Sequence, residues 1–168
     1  MIIDPLKIVN ENYIANHKES NIQPNSIDLT IAKVYTIHGS LVIYADKESR
    51  RQLPEYTEVK PFLHEGRLMY KLEPGIRYQV EFQETLAIPS NVCGITLVRS
   101  SMAKSGCTGE NGLFDSGYYG ACGMMVQVQA ESFIEVGASI AQMIFFTAST
   151  SREYNGFYQG SIGPEEWK

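Results

Sequence analysis

Ile76-Arg77-Tyr78-Gln79-Val80-Glu81-Phe82 is the stretch that decides the fold. Hydrophobic side chains fall at every second position and polar ones fall between them. A strand turns successive side chains to opposite faces. The period of two therefore predicts a half-buried β-strand. Turn chemistry bounds it on both sides, Pro74-Gly75 before and Pro89-Ser90-Asn91 after. The rest of the chain repeats this rhythm. Ile27–Tyr35 alternates loosely, and Leu41–Tyr44, Val92–Val98, Ala121–Val128 and Ile140–Phe146 read as further strands. Gly109 to Gly112 and Gly137 punctuate them. One helix is expected, over residues 5–15: Asp4 suits an N-cap, Pro5 the first helical position, and Leu6, Val9 and Tyr13 share a face. Arg50 to Pro61 is charged and proline-bounded, and reads as a surface excursion. Many short strands with Gly/Pro turns predict an all-β fold, an antiparallel barrel or jelly roll with a short N-terminal helix. The barrel is assigned to residues 1–150. Residues 151–168 form a tail with Tyr154, Phe157, Tyr158 and Trp167 but few aliphatics. Such a tail cannot build its own core and is expected to dock.

The 168 residues suit one domain that buries roughly 70% of its unfolded surface, so no disulfide or metal is needed to hold it. The net charge of −5 argues against a dominant nucleic-acid binder, which needs a basic face. A nucleotide remains allowed, since a few local cations suffice. No apolar run reaches the length of a membrane span and no signal-peptide core is present, so no membrane partner is expected. Cys93, Cys107 and Cys122 are an odd set with no knuckle spacing. They read as free thiols in a reducing cytoplasm.

Several chemistries fail on the residues. His17-Lys18-Glu19 has no cysteine pair after it, so a zinc deaminase is not supported. No Gly-Lys-Ser/Thr phosphate loop exists. Isolated histidines give a cysteine nucleophile no partner. Four segments remain. Arg99-Ser100-Ser101 ends a predicted strand and can offer a guanidinium fork and hydroxyls to phosphate oxygens. The same residues also read as a helix start with Arg99 solvated. Asp115-Ser116-Gly117-Tyr118 can hold a carboxylate against a water and a ring against a sugar. It also reads as a turn whose Asp bonds its own backbone. Gln23-Pro24-Asn25-Ser26-Ile27-Asp28 puts a carboxylate at a strand start. Gln142 lies inside an apolar strand and needs a hydrogen-bond partner, from the protein or a ligand.

In this order the segments resemble the dUTPase and dCTP deaminase superfamily over nearly the whole chain. Gln23 to Asp28 is similar to its first deaminase-type motif, and Arg99-Ser100-Ser101 with Ala103 and Gly106 to its phosphate-binding motif. Asp115 with Tyr118 and Gly120 is similar to the substrate hairpin, and Ile140 to Phe145 to the fourth motif. Gly156 to Pro164 resembles the C-terminal tail.

The resemblance implies a distorted barrel, a homotrimer with sites between subunits, and a pyrimidine deoxynucleoside triphosphate with Mg²⁺. It implies that Asp115 activates water and that Gly117 and Tyr118 hold the sugar. Arg99, Ser100, Ser101 and Gln142 would bind phosphates, and Asp28 would help hold Mg²⁺ through its waters. Phe157, Tyr158, Gln159 and Gly160 would cap the nucleotide. Asn111 takes the base-recognising place in a loop shorter than usual. The deaminase branch carries an Arg where Lys104 stands and a proton-shuttling Glu where Met125 stands. A methionine moves no proton, and losing a general acid/base costs about 10²- to 10⁴-fold. The expected function is dUTP hydrolysis to dUMP and diphosphate, in a cytoplasm, the host's if the protein is viral. The alternatives are a dCTP deaminase, a bifunctional deaminase and dUTPase with Glu110 or Glu131 recruited, or a dCTP or dTTP pyrophosphatase. Arg152 only loosely matches the Arg that precedes the tail glycines in dUTPases.

Overall fold

The computed structural model describes residues 1–46 and 51–167. Arg50 and Lys168, assigned above to the excursion and the tail, lie outside the described residues. The elements are α1 (Pro5–Asn10), β1 (Ile14–Ala15), β2 (Ile27–His38), β3 (Glu55–Glu58), β4 (Phe62–His64), β5 (Arg67–Leu72), β6 (Arg77–Ala87), β7 (Val92–Val98), α2 (Ser100–Lys104), β8 (Cys107–Glu110), β9 (Tyr119–Val128), β10 (Ser132–Glu135) and β11 (Ser139–Thr147).

The alternating stretch lies at the centre of the sheet. β6 pairs antiparallel with β2 on one side and β9 on the other. The main path runs β7-β11-β2-β6-β9-β8, with β1 on β6 and β3 on β2. Gly94 of β7 exchanges two backbone hydrogen bonds of 2.9 Å with Phe114, in the loop after β8. That contact nearly closes the sheet into a barrel. β10, β5 and β4 form a smaller antiparallel sheet. Tyr78, Val80 and Phe82 point into the core with Ile27, Leu29, Ile31, Met124, Val126 and Met143. Glu84 interrupts this face. It is fully buried, its Oε2 accepts from the Thr30 N–H at 2.8 Å, and burial pushes its carboxyl above the ordinary range.

Three expectations are corrected. The N-terminal helix is six residues long rather than spanning 5–15, and it buries Pro5 and Ile8 instead of the Leu6 face. Asn12 sits at φ 57°, which an α-helix cannot continue through. Leu41–Tyr44 is not a strand: Leu41, Ile43 and Tyr44 are exposed, and Val42 makes an isolated bridge to Gln52. The stretch up to Pro61 is more than an excursion, because β3 within it pairs with the end of β2. β7 falls at the expected residues.

Beyond β11 the tail lies on the barrel. Tyr154 N–H donates to Ser116 O at 2.7 Å, Gly160 N–H to Tyr119 O at 3.0 Å, and Ala121 N–H to Ser161 O at 2.8 Å. Trp167 sets its ring edge-on to Tyr56 and Tyr158, with centroids 5.3 and 5.0 Å away. Its indole N–H donates to Ser161 Oγ at 2.8 Å. Lys33 Nζ reaches Glu165 Oε1 at 2.9 Å and completes the dock.

Candidate active site

The sequence-derived residues gather in two places. The first is a cavity of about 390 Å³ between β6, β9, the loop before β9 and the tail. A volume of that order suits a small ligand. Asp115 is exposed at its lining and makes no side-chain hydrogen bond among the described residues. The hairpin turn is instead closed by backbone, Tyr118 N–H to Asp115 O at 3.1 Å. Gly117 adopts φ 83°, a left-handed conformation that favours glycine, and its N–H donates to Ile88 O at 3.1 Å. Tyr118 is buried, and its hydroxyl donates to Ala121 O at 2.6 Å. Its ring packs between Phe114 and Tyr154, with centroids 5.5 and 5.6 Å away. Burial pushes its phenol up, so it stays a neutral wall.

Asn111 lines the same cavity, but its amide nitrogen is spent on Thr96 Oγ1 at 3.1 Å and Gly123 O at 2.8 Å. It braces β7 to β9. From the tail, Tyr158 lines the cavity. Gln159 pins the tail to the hairpin, donating to Gly117 O at 2.8 Å and accepting from Tyr119 N–H at 3.3 Å. Phe157 is exposed, with the Arg51 guanidinium 5.1 Å over its ring.

The second place is a cleft of about 470 Å³ lined by Gln23, Asp28, Arg99, Ser100, Ser101 and Gln142 among others. Sheet register builds it: Gln142 of β11 stands opposite Asp28 of β2 and Leu97 of β7. Arg99 follows β7 and caps α2 by backbone alone. Its Nε lies 3.2 Å from Asp28 Oδ2, and its Nη1 donates to Ser139 O at 3.0 Å. Arg99 is therefore paired and oriented, not merely solvated as the helix-start reading had it. Burial pushes the Asp28 carboxyl up and Arg99 pulls it down. The exposed Ser100 and Ser101 place hydroxyls at the cleft, and Gln142 finds no protein partner among the described residues.

A resident Mg²⁺ does not fit this cleft. Among the described residues Asp28 is the one carboxylate lining it, and Arg99 and Gln23 already occupy Oδ2. Among the described residues no three of His, Cys, Asp and Glu cluster as metal ligands. Mg²⁺ dehydrates reluctantly and is held largely by substrate phosphates and water.

Among the described residues the two places share no lining residue. Met125 lines the first cavity. Glu110 and Glu131 do not; they pair with Arg77 at 3.5 Å and Lys71 at 2.8 Å. Sequence reasoning missed Tyr56, Gln79, Glu81 and Trp167, all of which line the first cavity. The alternation around Val80 announced a polar face there but not what covers it. The free thiols of Cys107 and Cys122 are buried, and burial pushes both up, which disfavours a thiolate nucleophile.

A family model of dCTP deaminase-like proteins matches residues 4–148. Over 145 residues the chain is 37% identical to a probable deoxyuridine 5'-triphosphate nucleotidohydrolase of Methanosarcina barkeri, covering 84% of this chain and 82% of that one. Over 150 residues it is 35% identical to the deoxyuridine 5'-triphosphate nucleotidohydrolase of Methanocaldococcus jannaschii, covering 89% and 92%. The solved 2'-deoxycytidine 5'-triphosphate deaminase of Agrobacterium tumefaciens shares the fold, with a TM-score of 0.65 at 18% identity. That match covers 88% of this chain but 48% of the solved one, so this chain spans about half its length.

Proposed function

The chain belongs to the dCTP deaminase-like family, and from that premise we propose that it hydrolyses dUTP to dUMP and diphosphate. It is a nucleotide hydrolase whose relatives carry the dUTP nucleotidohydrolase name. The observation that carries the reading is the Asp115 carboxylate, without a side-chain partner among the described residues, beside a nucleoside-sized cavity to which Met125 brings no proton-transferring group. Asp115 takes a proton from water, and the resulting oxygen attacks the α-phosphorus. The bond from that phosphorus to the α,β-bridging oxygen breaks, and the electrons leave with diphosphate. The carboxylate supplies general-base catalysis. Arg99, Ser100, Ser101 and Gln142 hold phosphate oxygens and stabilise the charge that builds on the leaving group. Asp28 is a positioning residue that fixes the Arg99 fork. Mg²⁺ would arrive with the triphosphate and neutralise part of its charge. The Tyr118 ring packs against deoxyribose, and the tail, Phe157 to Gly160, closes over the nucleotide.

Cavity and cleft share no residue, so one chain offers a hairpin half and a phosphate half in different places. A homotrimer that sets the hairpin of one copy against the cleft of the next unites them. The free thiols suit a cytoplasmic setting; among the described residues no helix is long and apolar enough to cross a membrane.

The test is a product assay with Mg²⁺ and dUTP, dCTP or dTTP, resolved by ion-pair chromatography, beside sedimentation of the protein. Release of dUMP from dUTP by a trimer is expected. Conversion of dCTP to dUTP or dUMP would replace this reading with deamination. Release of dCMP or dTMP alone would keep the hydrolysis and change the base. No product from any of the three would leave a binding protein.

A further inference from the structure

We propose that Glu81 and Gln79 read the edge of the base, and that Glu81 selects a 4-oxo pyrimidine by accepting its N3–H. This rests on the reading of the cavity as the nucleoside site. The two side chains share one face of β6, and the register sets them against β9, Gln79 opposite Met125 and Glu81 opposite Gly123. Both line the cavity. Gly123 keeps that place open: a Cβ there would lie 2.5 Å from Val80 O and 2.8 Å from Gln79 Nε2.

The carboxylate of Glu81 is held on two sides. Its Oε2 accepts from the Tyr35 hydroxyl at 3.2 Å. Gly163 of the tail lies against it at φ 134°, and any side chain at that position would collide with it. Its Oε1 has no partner among the described residues. Gln79 is buried, yet among the described residues its amide makes one hydrogen bond, Nε2 to Val80 O at 3.2 Å. One N–H and the amide oxygen remain unused.

These groups lie on the wall of the cavity, where two other polar side chains are already spent. Asn111 is tied to Thr96 and Gly123, and the Tyr118 hydroxyl to Ala121. A uracil edge offers a donor at N3 flanked by carbonyl acceptors. The carboxylate takes the donor and the Gln79 amide gives its free N–H to the neighbouring carbonyl. Cytosine presents a lone pair at N3, which faces the carboxylate unfavourably. A site built to hydrogen-bond a substrate group discriminates far more sharply than an apolar one.

The experiment compares wild type, Glu81→Gln and Glu165→Gln on dUTP, dTTP and dCTP. It measures kcat/KM and, by calorimetry, the affinities of the α,β-imido analogues of all three. Circular dichroism checks the fold. Glu81→Gln should lower dUTP and dTTP together by about 10- to 100-fold, the range of a lost charged hydrogen bond. It should lower dCTP less or raise it, because a glutamine N–H can serve the cytosine N3. Glu165→Gln weakens the tail dock but keeps the reader, and should move all three nucleotides equally. Equal losses on all three in Glu81→Gln would overturn the assignment and make Glu81 a tail anchor. Release of dUTP from dCTP by wild type, lost in Glu81→Gln, would also overturn it and make Glu81 a proton carrier. If wild type hydrolyses nothing, the analogue affinities still test the reader, and the hydrolase reading alone fails.

Discussion

Replacing Arg99 by Gln should destabilise the protein in a way that depends on pH. Asp28 has a side chain only 5% exposed, and the Arg99 Nε lies 3.2 Å away. At an effective dielectric constant of about 20, that separation corresponds to about 5 kcal/mol of attraction. The Arg99 side chain is 39% exposed, so solvent screens a good part of it. About half, roughly 2–3 kcal/mol, is a reasonable remainder. The lost bond to Ser139 O adds about 1 kcal/mol. A loss near 3 kcal/mol at pH 7 would lower Tm by about 6–12 °C for a chain of this length.

The pH dependence follows from the direction of the shift. Burial already pushes the Asp28 carboxyl up, and Arg99 is what pulls it down. Without Arg99 the folded state holds the Asp28 proton more tightly than the unfolded chain does. Stability is then retained below the ordinary aspartate pKa and lost as pH rises through the folded one. The deficit of Arg99→Gln should be largest above neutrality and shrink towards pH 4. Adding Asp28→Asn removes the stranded charge and should restore about 2 kcal/mol. Urea titrations followed by far-UV circular dichroism, at fixed protein concentration, measure this across the pH range. An Arg99→Gln protein within about 0.5 kcal/mol of wild type at neutral pH, or a deficit flat with pH, would show that the Arg99–Asp28 pair carries no such energy.

Other expectations are more direct. Asp115→Asn should cut turnover by about 10²- to 10⁴-fold and leave nucleotide affinity within about tenfold; surviving turnover would show that another group is the base. Deleting the chain from Ser151 onward should reduce turnover more than it harms folding, and a truncated chain that cannot fold would make the tail structural. Lys33 and Tyr35 hold the Glu165 carboxyl below its ordinary range, so the tail dock should persist above that range and weaken as pH falls through it. Trp167 is the sole tryptophan, so its emission should shift red in acid while far-UV dichroism is retained, with Glu165→Gln already shifted at neutral pH; an emission unmoved in both would remove the latch. Gly123→Ala drives a methyl against Val80 O and should cost about 1–3 kcal/mol, read as a fall in Tm; an unchanged Tm would show that β9 gives way.

What was legible in the chain follows from which interactions are local. A strand with one face in the core writes its period into the sequence, and that made β6 legible as a half-buried strand; its place between β2 and β9 came only with the structure. β3 and β4 have no buried residue, and their pattern is too short and too polar to show. Leu41–Tyr44 has the opposite fault: apolar residues with no strand partner beyond one bridge, which hydropathy alone cannot detect. The helix overran because Asn12, rather than a proline or glycine, ends it.

The site divides in the same way. Asp115 and Gln142 stood out as polar side chains beside apolar neighbours, and Arg99 because two hydroxyls follow it at the end of a strand. Glu81 and Gln79 did not, because the polar side of an amphipathic strand is expected to be polar and face solvent. Only the tertiary structure reveals that this face is roofed by the tail and that its hydrogen-bonding capacity is half unused. Polar alternation thus has two meanings on one strand. Arg77 on the same face is exposed and paired with Glu110 at the rim. Two and four residues further on, the identical period places an amide and a carboxylate on the wall of a cavity that Gly163, Pro164 and Trp167 of the tail also line.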